Sequence, residues 1–263
     1  MRLNGQVVVV TGASMGIGEA IAKVFAEEGA QVVLSSRSLE RVEAARSRIG
    51  NLAGTLAVEC DVSDPAQSEG LLRATLDRFG RVDVWVNNAG FGLVDSIQRM
   101  DMSACRKMFD TNLFGTIQCI QHVIPVMRQQ GSGCIINVSS VAGFIGVPYM
   151  AAYGATKHAL NCVSRATRVE LQGTGVRILN VCPGFVETQF SANAIRGTDR
   201  KKMRAANQRG ISAEQVARAT LYGYVGNKRE IVVPWFYNLV ILAYRMFPRV
   251  IENAMRAKMK DLS

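Results

Sequence analysis

The opening stretch of the chain constrains its fold more than any other. Four consecutive valines, Val7, Val8, Val9 and Val10, lead into Thr11-Gly12-Ala13-Ser14-Met15-Gly16-Ile17-Gly18, and an amphipathic pattern follows at once over 18–28. An unbroken β-branched run reads as a strand buried on both faces. Glycines directly behind it mark a tight turn, where a Cβ would hold the backbone away from a bound phosphate. The helix that opens there offers unpaired N–H groups and the positive end of its dipole to the same anion. Strand, glycine turn and helix in that order make a cradle for a pyrophosphate, and the remaining chain has to fit a parallel sheet built around it.

It does. Short β-branched runs at 6–10, 31–35, 55–58, 82–86, 134–138, 176–181 and 231–233 alternate with helical patterns at 39–49, 65–79, 103–128, 151–172 and 213–224. Strands that are apolar along most of their length and separated by helices imply the α/β class, a doubly wound parallel sheet of the Rossmann type. A chain of 263 residues suits one such core, so a single domain over 1–263 is expected. Within it, 185–210 reads as a lid over the site, and 234–263 as an appendage that is apolar first and basic afterwards.

The glycines are spaced Gly-x-x-x-Gly-x-Gly, and here the chain resembles the short-chain dehydrogenase/reductase family. The resemblance runs on through Asp61-Val62, Asn87-Asn88-Ala89-Gly90, Asn112, Ser140, Tyr153-x-x-x-Lys157 and Pro183-Gly184, covering about 7–233. It implies a nicotinamide dinucleotide held by Gly12, Ser14, Met15, Gly16, Ile17 and Gly18, with Asp61 and Val62 at the adenine. Asn88, Ala89 and Gly90 would support the cofactor from the fourth strand. Pro183, Gly184 and Val186 belong to the same binding set, and Thr188 would touch the carboxamide. Read without the resemblance, Asp61 could instead cap the helix that follows it.

Which cofactor is bound turns on the end of the second strand. A carboxylate there would accept the ribose hydroxyls and repel a 2′-phosphate. This chain has Ser35-Ser36-Arg37-Ser38, so Ser36 and Arg37 can hold a phosphate and NADP(H) is expected. Many NADP-preferring relatives also carry a basic residue inside the glycine turn, where Ser14 and Met15 stand here.

Tyr153 and Lys157 lie four apart in a helical pattern and share a face. A free phenol has a pKa of about 10, and a neighbouring ammonium favours its ionised form, so Lys157 is expected to make Tyr153 a proton donor and acceptor near neutrality. The resemblance adds Ser140 as the hydroxyl that holds the substrate oxygen, in preference to its neighbour Ser139. It also adds Asn112 as the holder of a water that links Lys157 to solvent. The implied activity is hydride transfer between nicotinamide and a carbonyl or secondary alcohol. A non-catalytic NADP(H)-binding regulator on the same fold would be signalled by loss of Tyr153 or Lys157, and both are present. His122 and His158, the two histidines, read as structural, with His158 turned away from the Tyr153 face.

The resemblance also points to the pocket lining: Phe91, Leu93, Val141, Phe144, Ile145, Val147, Tyr149, Met150, Phe185 and Phe190, with Glu187 as the one acidic candidate or else a helix cap. An apolar lining favours a lipophilic substrate of sterol, retinoid or acyl type. The alternative is a 3-oxoacyl thioester, its carrier held by the basic cluster Arg196, Arg200, Lys201, Lys202, Arg204 and Arg209.

Six scattered cysteines without a CxxC pair argue against a zinc site or a disulfide framework, so no metal is expected. That usage, and an N-terminus without a secretory pattern, leads to the expectation of a cytoplasmic protein. The net charge of +10 suits a basic surface, an anionic substrate or a membrane surface better than nucleic acid, for which no motif is present. Part of it is a second basic cluster, Arg245, Arg249, Arg256, Lys258 and Lys260; Arg249, Arg256, Lys258 and Lys260 follow the apolar stretch 235–247, which is too short to span a bilayer at about 20 residues. That stretch could close the pocket, join subunits of a homo-oligomer or lie in a membrane interface. The expectation is that Trp235, Phe236, Leu239, Ile241, Leu242 and Phe247 are buried against protein.

Overall fold

The computed structural model describes residues 1–50, 52–197 and 210–260. Seven strands form its main sheet: β1 (Val7–Thr11), β2 (Gln31–Ser36), β3 (Thr55–Glu59), β4 (Val84–Asn87), β5 (Gly133–Val138), β6 (Val176–Pro183) and β7 (Glu230–Val233). Each corresponds to a strand expected from the sequence, with ends shifted by at most two residues. Their order across the sheet is β7-β6-β5-β4-β1-β2-β3, and all neighbours run parallel. The chain reverses its progress across the sheet between β3 and β4, which puts a crevice at the carboxyl ends of β1 and β4.

Helices cover both faces, and this is why the valines of β1 have no exposed neighbour side. Val8 and Val10 pack with Ile21 and Phe25 of α1 (Gly16–Glu27), Val42 of α2 (Leu39–Ile49) and Leu221 of α7 (Ala213–Val225). Val9 points the other way, to Leu71 of α3 (Pro65–Phe79) and Val123 of α5 (Gly115–Gln130). Trp85 is wholly buried in that second layer, and its indole N–H donates to Asn87 Oδ1 at 2.9 Å.

The pattern over 103–128 is not one regular helix. α4 (Met102–Phe109) passes into a π-helical turn (Asp110–Phe114) before α5 begins. α6 (Ala151–Glu170) follows β5 and carries the Tyr153–Lys157 face.

Two short parallel pairs lie at either end of the expected lid: Leu93–Val94 with Ile195–Arg196, and Val186–Glu187 with Ile211–Ser212. Of the lid's basic cluster, Arg200, Lys201, Lys202, Arg204 and Arg209 lie outside the described residues.

Beyond β7 the chain forms a helical hairpin, α8 (Tyr237–Met246) and α9 (Pro248–Lys260). Ile241 is buried with Val141 and Ile145, flanked by Tyr237, Val240, Tyr244 and Met255. Within the single chain the other five side chains stay outside: Trp235 is 70% exposed, and Phe236, Leu239, Leu242 and Phe247 are also exposed. A helix can turn only one stripe toward the body it packs on, and α8 is apolar on both sides.

Candidate active site

Thr11 joins the ends of β1 and β4. Its hydroxyl accepts the N–H groups of Asn88 (3.0 Å) and Ala89 (3.1 Å) and donates to the Val86 carbonyl (3.2 Å). The Asn88 amide returns the link, donating to the carbonyls of Thr11 (3.0 Å) and Gly12 (3.1 Å). Gly12 has φ +64°, and a Cβ there would stand 2.8 Å from the Ala89 Cα. At Gly18 a Cβ would collide with the Gly12 carbonyl and the Asn88 amide. The turn closes this tightly because neither position carries a side chain.

Met15 at the start of α1 makes no capping hydrogen bond through its side chain, so the first N–H groups of the helix are left for an anion. Thr188, at the start of the lid, lies against Gly16: a Cβ built there would be 3.5 Å from the Thr188 Cβ. The residues present therefore fit a pyrophosphate.

At the end of β2, Ser36 Oγ donates to the Ser38 carbonyl (3.0 Å), Ser35 Oγ is buried with no hydrogen-bond partner, and Arg37 is exposed. No carboxylate occupies the strand end. Asp61 is not the cap of α3. That role falls to Asp64, which accepts the Ala66 N–H at 2.9 Å, while Asp61 holds its own turn by accepting Ser63 N–H (3.0 Å) and Oγ–H (2.7 Å). Val62 is buried, its carbonyl close against Gly115.

One residue at this end escaped the sequence reading. Arg48, near the end of α2, donates to the Ser14 carbonyl (3.4 Å) and pairs with Glu19 (2.6 Å). It brings a guanidinium to a glycine turn that has none of its own. Thirty-four positions separate Arg48 from Ser14, and no local pattern marks the contact.

Tyr153 and Lys157 are both buried on α6, at 7% and 5% exposure. Lys157 Nζ donates to the Val138 carbonyl at 2.9 Å and lies 5.8 Å from the Tyr153 ring centroid. Burial pushes the Tyr153 phenol up to about 12, against a hydrogen bond with Ser140 that lowers it. Burial likewise pulls Lys157 down to about 8, with the Cys182 thiol opposing. In the chain by itself, desolvation dominates the phenol and holds it above its ordinary value.

Ser140 lies two residues beyond β5 and caps the turn Val141–Gly143, its Oγ accepting the Ala142 N–H (3.1 Å). Ser139 is instead committed to the interior, donating to Asn161 Oδ1 at 2.6 Å. Asn112 sits in the π-helical turn, 1% exposed. Its Oδ1 accepts the Phe91 N–H (3.0 Å), and its Nδ2 donates to the Phe91 carbonyl (2.9 Å) and to Thr156 Oγ1 (3.4 Å). Both ends of the amide are thus engaged within the protein, and Gly90 leaves the space beside it. The histidines are structural: His158 Nδ1 bonds the Gly154 carbonyl (2.9 Å), and His122 Nδ1 meets Ser68 Oγ (3.1 Å) between α5 and α3.

The expected lining divides in two. Phe91, Leu93, Val147, Met150 and Phe190 cluster with Tyr153, the Phe190 ring tilted against the phenol at 5.6 Å. Val141, Phe144 and Ile145 pack against α8 instead. The Glu187 carboxylate accepts the Gly210 N–H at 2.9 Å. Pro183 is the last residue of β6 and Gly184 follows it, directly under the Tyr237 ring and with its N–H bonded to the Val233 carbonyl (2.8 Å).

A family model described as short chain dehydrogenase matches residues 6–199. An uncharacterized oxidoreductase of Staphylococcus epidermidis is 37% identical over 206 residues, covering 78% of this chain and 88% of the relative. A short chain dehydrogenase/reductase from Burkholderia phymatum, solved in complex with NAD, superposes with a TM-score of 0.87 at 25% identity, over 95% of this chain and 96% of that one. The 3-ketoacyl-(acyl-carrier-protein) reductase from Brucella melitensis, complexed with NADH, gives 0.79 at 27% identity, over 88% and 97%.

Proposed function

The chain belongs to the short-chain dehydrogenase family and is an oxidoreductase, and on that premise we propose that it interconverts a carbonyl and a secondary alcohol on a lipophilic substrate with NADP(H). The observation that carries this reading is the buried Tyr153–Lys157 pair on α6 with the Ser140 hydroxyl at the phenol. When bound, nicotinamide supplies or takes the hydride, and its oxidised ring adds positive charge that favours phenolate.

Gly12, Gly16 and Gly18 with the start of α1 hold the pyrophosphate; Asp61 and Val62 meet the adenine, and Thr188 the carboxamide. Ser140 and Tyr153 hold the substrate oxygen between their hydroxyls. In reduction Tyr153 gives its proton to that oxygen, and in oxidation it takes the proton back. Lys157, held near 8 by burial, returns a proton to the phenol oxygen. Asn112 positions the pocket by tying Phe91 to Thr156 one helical turn from Tyr153.

NADP(H) is preferred because the end of β2 lacks a carboxylate and Arg37 is free to meet a 2′-phosphate, with Arg48 adding a second guanidinium by the glycine turn. The lipophilic assignment rests on the phenyl and aliphatic side chains around Tyr153. NADPH oxidation with lipophilic ketones, aldehydes and 3-oxoacyl thioesters tests both parts. Turnover of a lipophilic ketone, lost in Tyr153→Phe, supports the reading; turnover of thioesters alone moves the substrate to that class. No turnover of any carbonyl, in either direction, removes it.

A further inference from the structure

The C-terminal hairpin has two faces with different surroundings. Inward, Ile241 packs on Val141 and Ile145 in the loop behind Ser140, and Tyr237 covers Gly184. Outward, Trp235, Leu239, Leu242, Met246 and Phe247 are all more than half exposed. Their spacing of three to four residues puts 239, 242 and 246 along one stripe of α8, with Trp235 in the turn that leads into it. Single exposed apolar side chains are ordinary, but a contiguous aromatic and aliphatic stripe marks an interaction surface.

Basic residues border it. Arg245, Arg249 and Arg256 are exposed, and none is ion-paired with a described residue. We propose that this face docks on an anionic lipid surface, with α8 lying in the plane of the interface. Charge selects the occupant. A two-fold contact with a second copy would set this basic border against itself, with Glu252 as the only described acidic side chain on the hairpin and already accepting the Tyr244 hydroxyl at 3.3 Å. A leaflet of anionic headgroups offsets every arginine at once. Trp235 and Phe236 supply aromatic rings suited to headgroup depth. α8 has ten residues, and no described helix is long and apolar enough to cross a membrane, so the segment lies on the bilayer. Docking in this way brings the loop behind Ser140 close to the lipid, and it holds whatever the substrate proves to be.

The test is sedimentation of the full chain with phosphatidylcholine vesicles, with and without phosphatidylglycerol, at low and high salt. Binding is expected only with phosphatidylglycerol and should weaken as salt rises. Each basic side chain near such a surface strengthens partitioning about fivefold, so Arg249→Glu with Arg256→Glu should weaken it by about a hundredfold or more. Leu239→Gln with Leu242→Gln should do likewise, at about tenfold per leucine, and since both sites are exposed the thermal melt and turnover of soluble substrate should stay unchanged. The proposal is overturned by no sedimentation with either vesicle, by equal sedimentation with both, or by a dimer in vesicle-free buffer that the leucine double variant dissociates.

Discussion

Two buried groups of opposite chemistry sit next to each other on α6, and their titration follows from desolvation. Lys157 is depressed from 10.5 to about 8, so between those values the unfolded chain binds a proton that the native one does not. This group's contribution therefore rises with pH from about 8 toward 10.5, by up to about 3 kcal/mol. Urea midpoints of the native chain should gain on those of Lys157→Met across that window, and parallel curves would mean that Lys157 is not buried as a cation. Tyr153 runs in the opposite sense: raised to about 12, it favours the fold below pH 10 and withdraws that support as pH climbs. Chemically, Tyr153→Phe should lower kcat by about a hundred- to ten-thousandfold with NADPH affinity nearly unchanged, since only the transferable proton is lost. On the proposed NADP(H) preference, Arg37 is the side chain that meets the 2′-phosphate. Arg37→Ala should weaken NADPH by about ten- to hundredfold more than NADH, and titration of both by cofactor fluorescence distinguishes this from a uniform loss. Arg48→Ala should shift the same ratio in the same direction but less, because its charge is already shared with Glu19.

Among the elements, those built by a strict repeat were legible from the sequence and those that break it were not. β1 to β7 announce themselves as short β-branched runs, and the glycine turn as a gap in side chains between strand and helix. The π-helical turn left no such trace. One extra residue in a turn shifts the apolar stripe too little to see across α4 and α5, yet it is there that Asn112 meets Phe91 and Thr156. The division of the lining was hidden for a different reason: nothing local distinguishes Val141, which packs on α8, from Val147, which packs toward Tyr153. Asn112→Ala tests the value of the turn. It leaves the Phe91 N–H and carbonyl without their partners, at about 1–3 kcal/mol for each group that stays dry. Thermal denaturation should show a loss of that order. Steady-state kinetics should show a higher KM, because Phe91 is freed from its anchor. An unchanged melt would mean that water replaces the amide and that the turn is not what fixes the loop.

At the scale of the whole molecule, the cofactor cradle and the C-terminal hairpin belong to different parts of one sheet. The cradle rises from β1 at the centre, whereas the hairpin leaves β7 at the edge and reaches back over the loop behind Ser140. The hairpin therefore packs on the loop behind Ser140 and meets the proposed cofactor set at Gly184, beneath Tyr237. Removal of 234–263 takes away Ile241, Tyr237, Val240 and Tyr244, and leaves Val141 and Ile145, now 7% and 3% exposed, facing water. Burial of side chains of this size is worth about 1.5–3 kcal/mol each, a large share of a domain's net stability of about 5–15 kcal/mol. The shortened chain should melt at a lower temperature and keep most of its NADPH affinity, because the glycine turn follows β1 in the middle of the sheet whereas the hairpin leaves β7 at its edge. Its KM for a lipophilic substrate should rise, the wall beside Ser140 having lost its support. Calorimetry together with cofactor titration separates these effects. Equal loss of NADPH affinity and substrate affinity would mean that the hairpin holds the fold together generally, and an unchanged KM would mean that the pocket is closed by the lid alone.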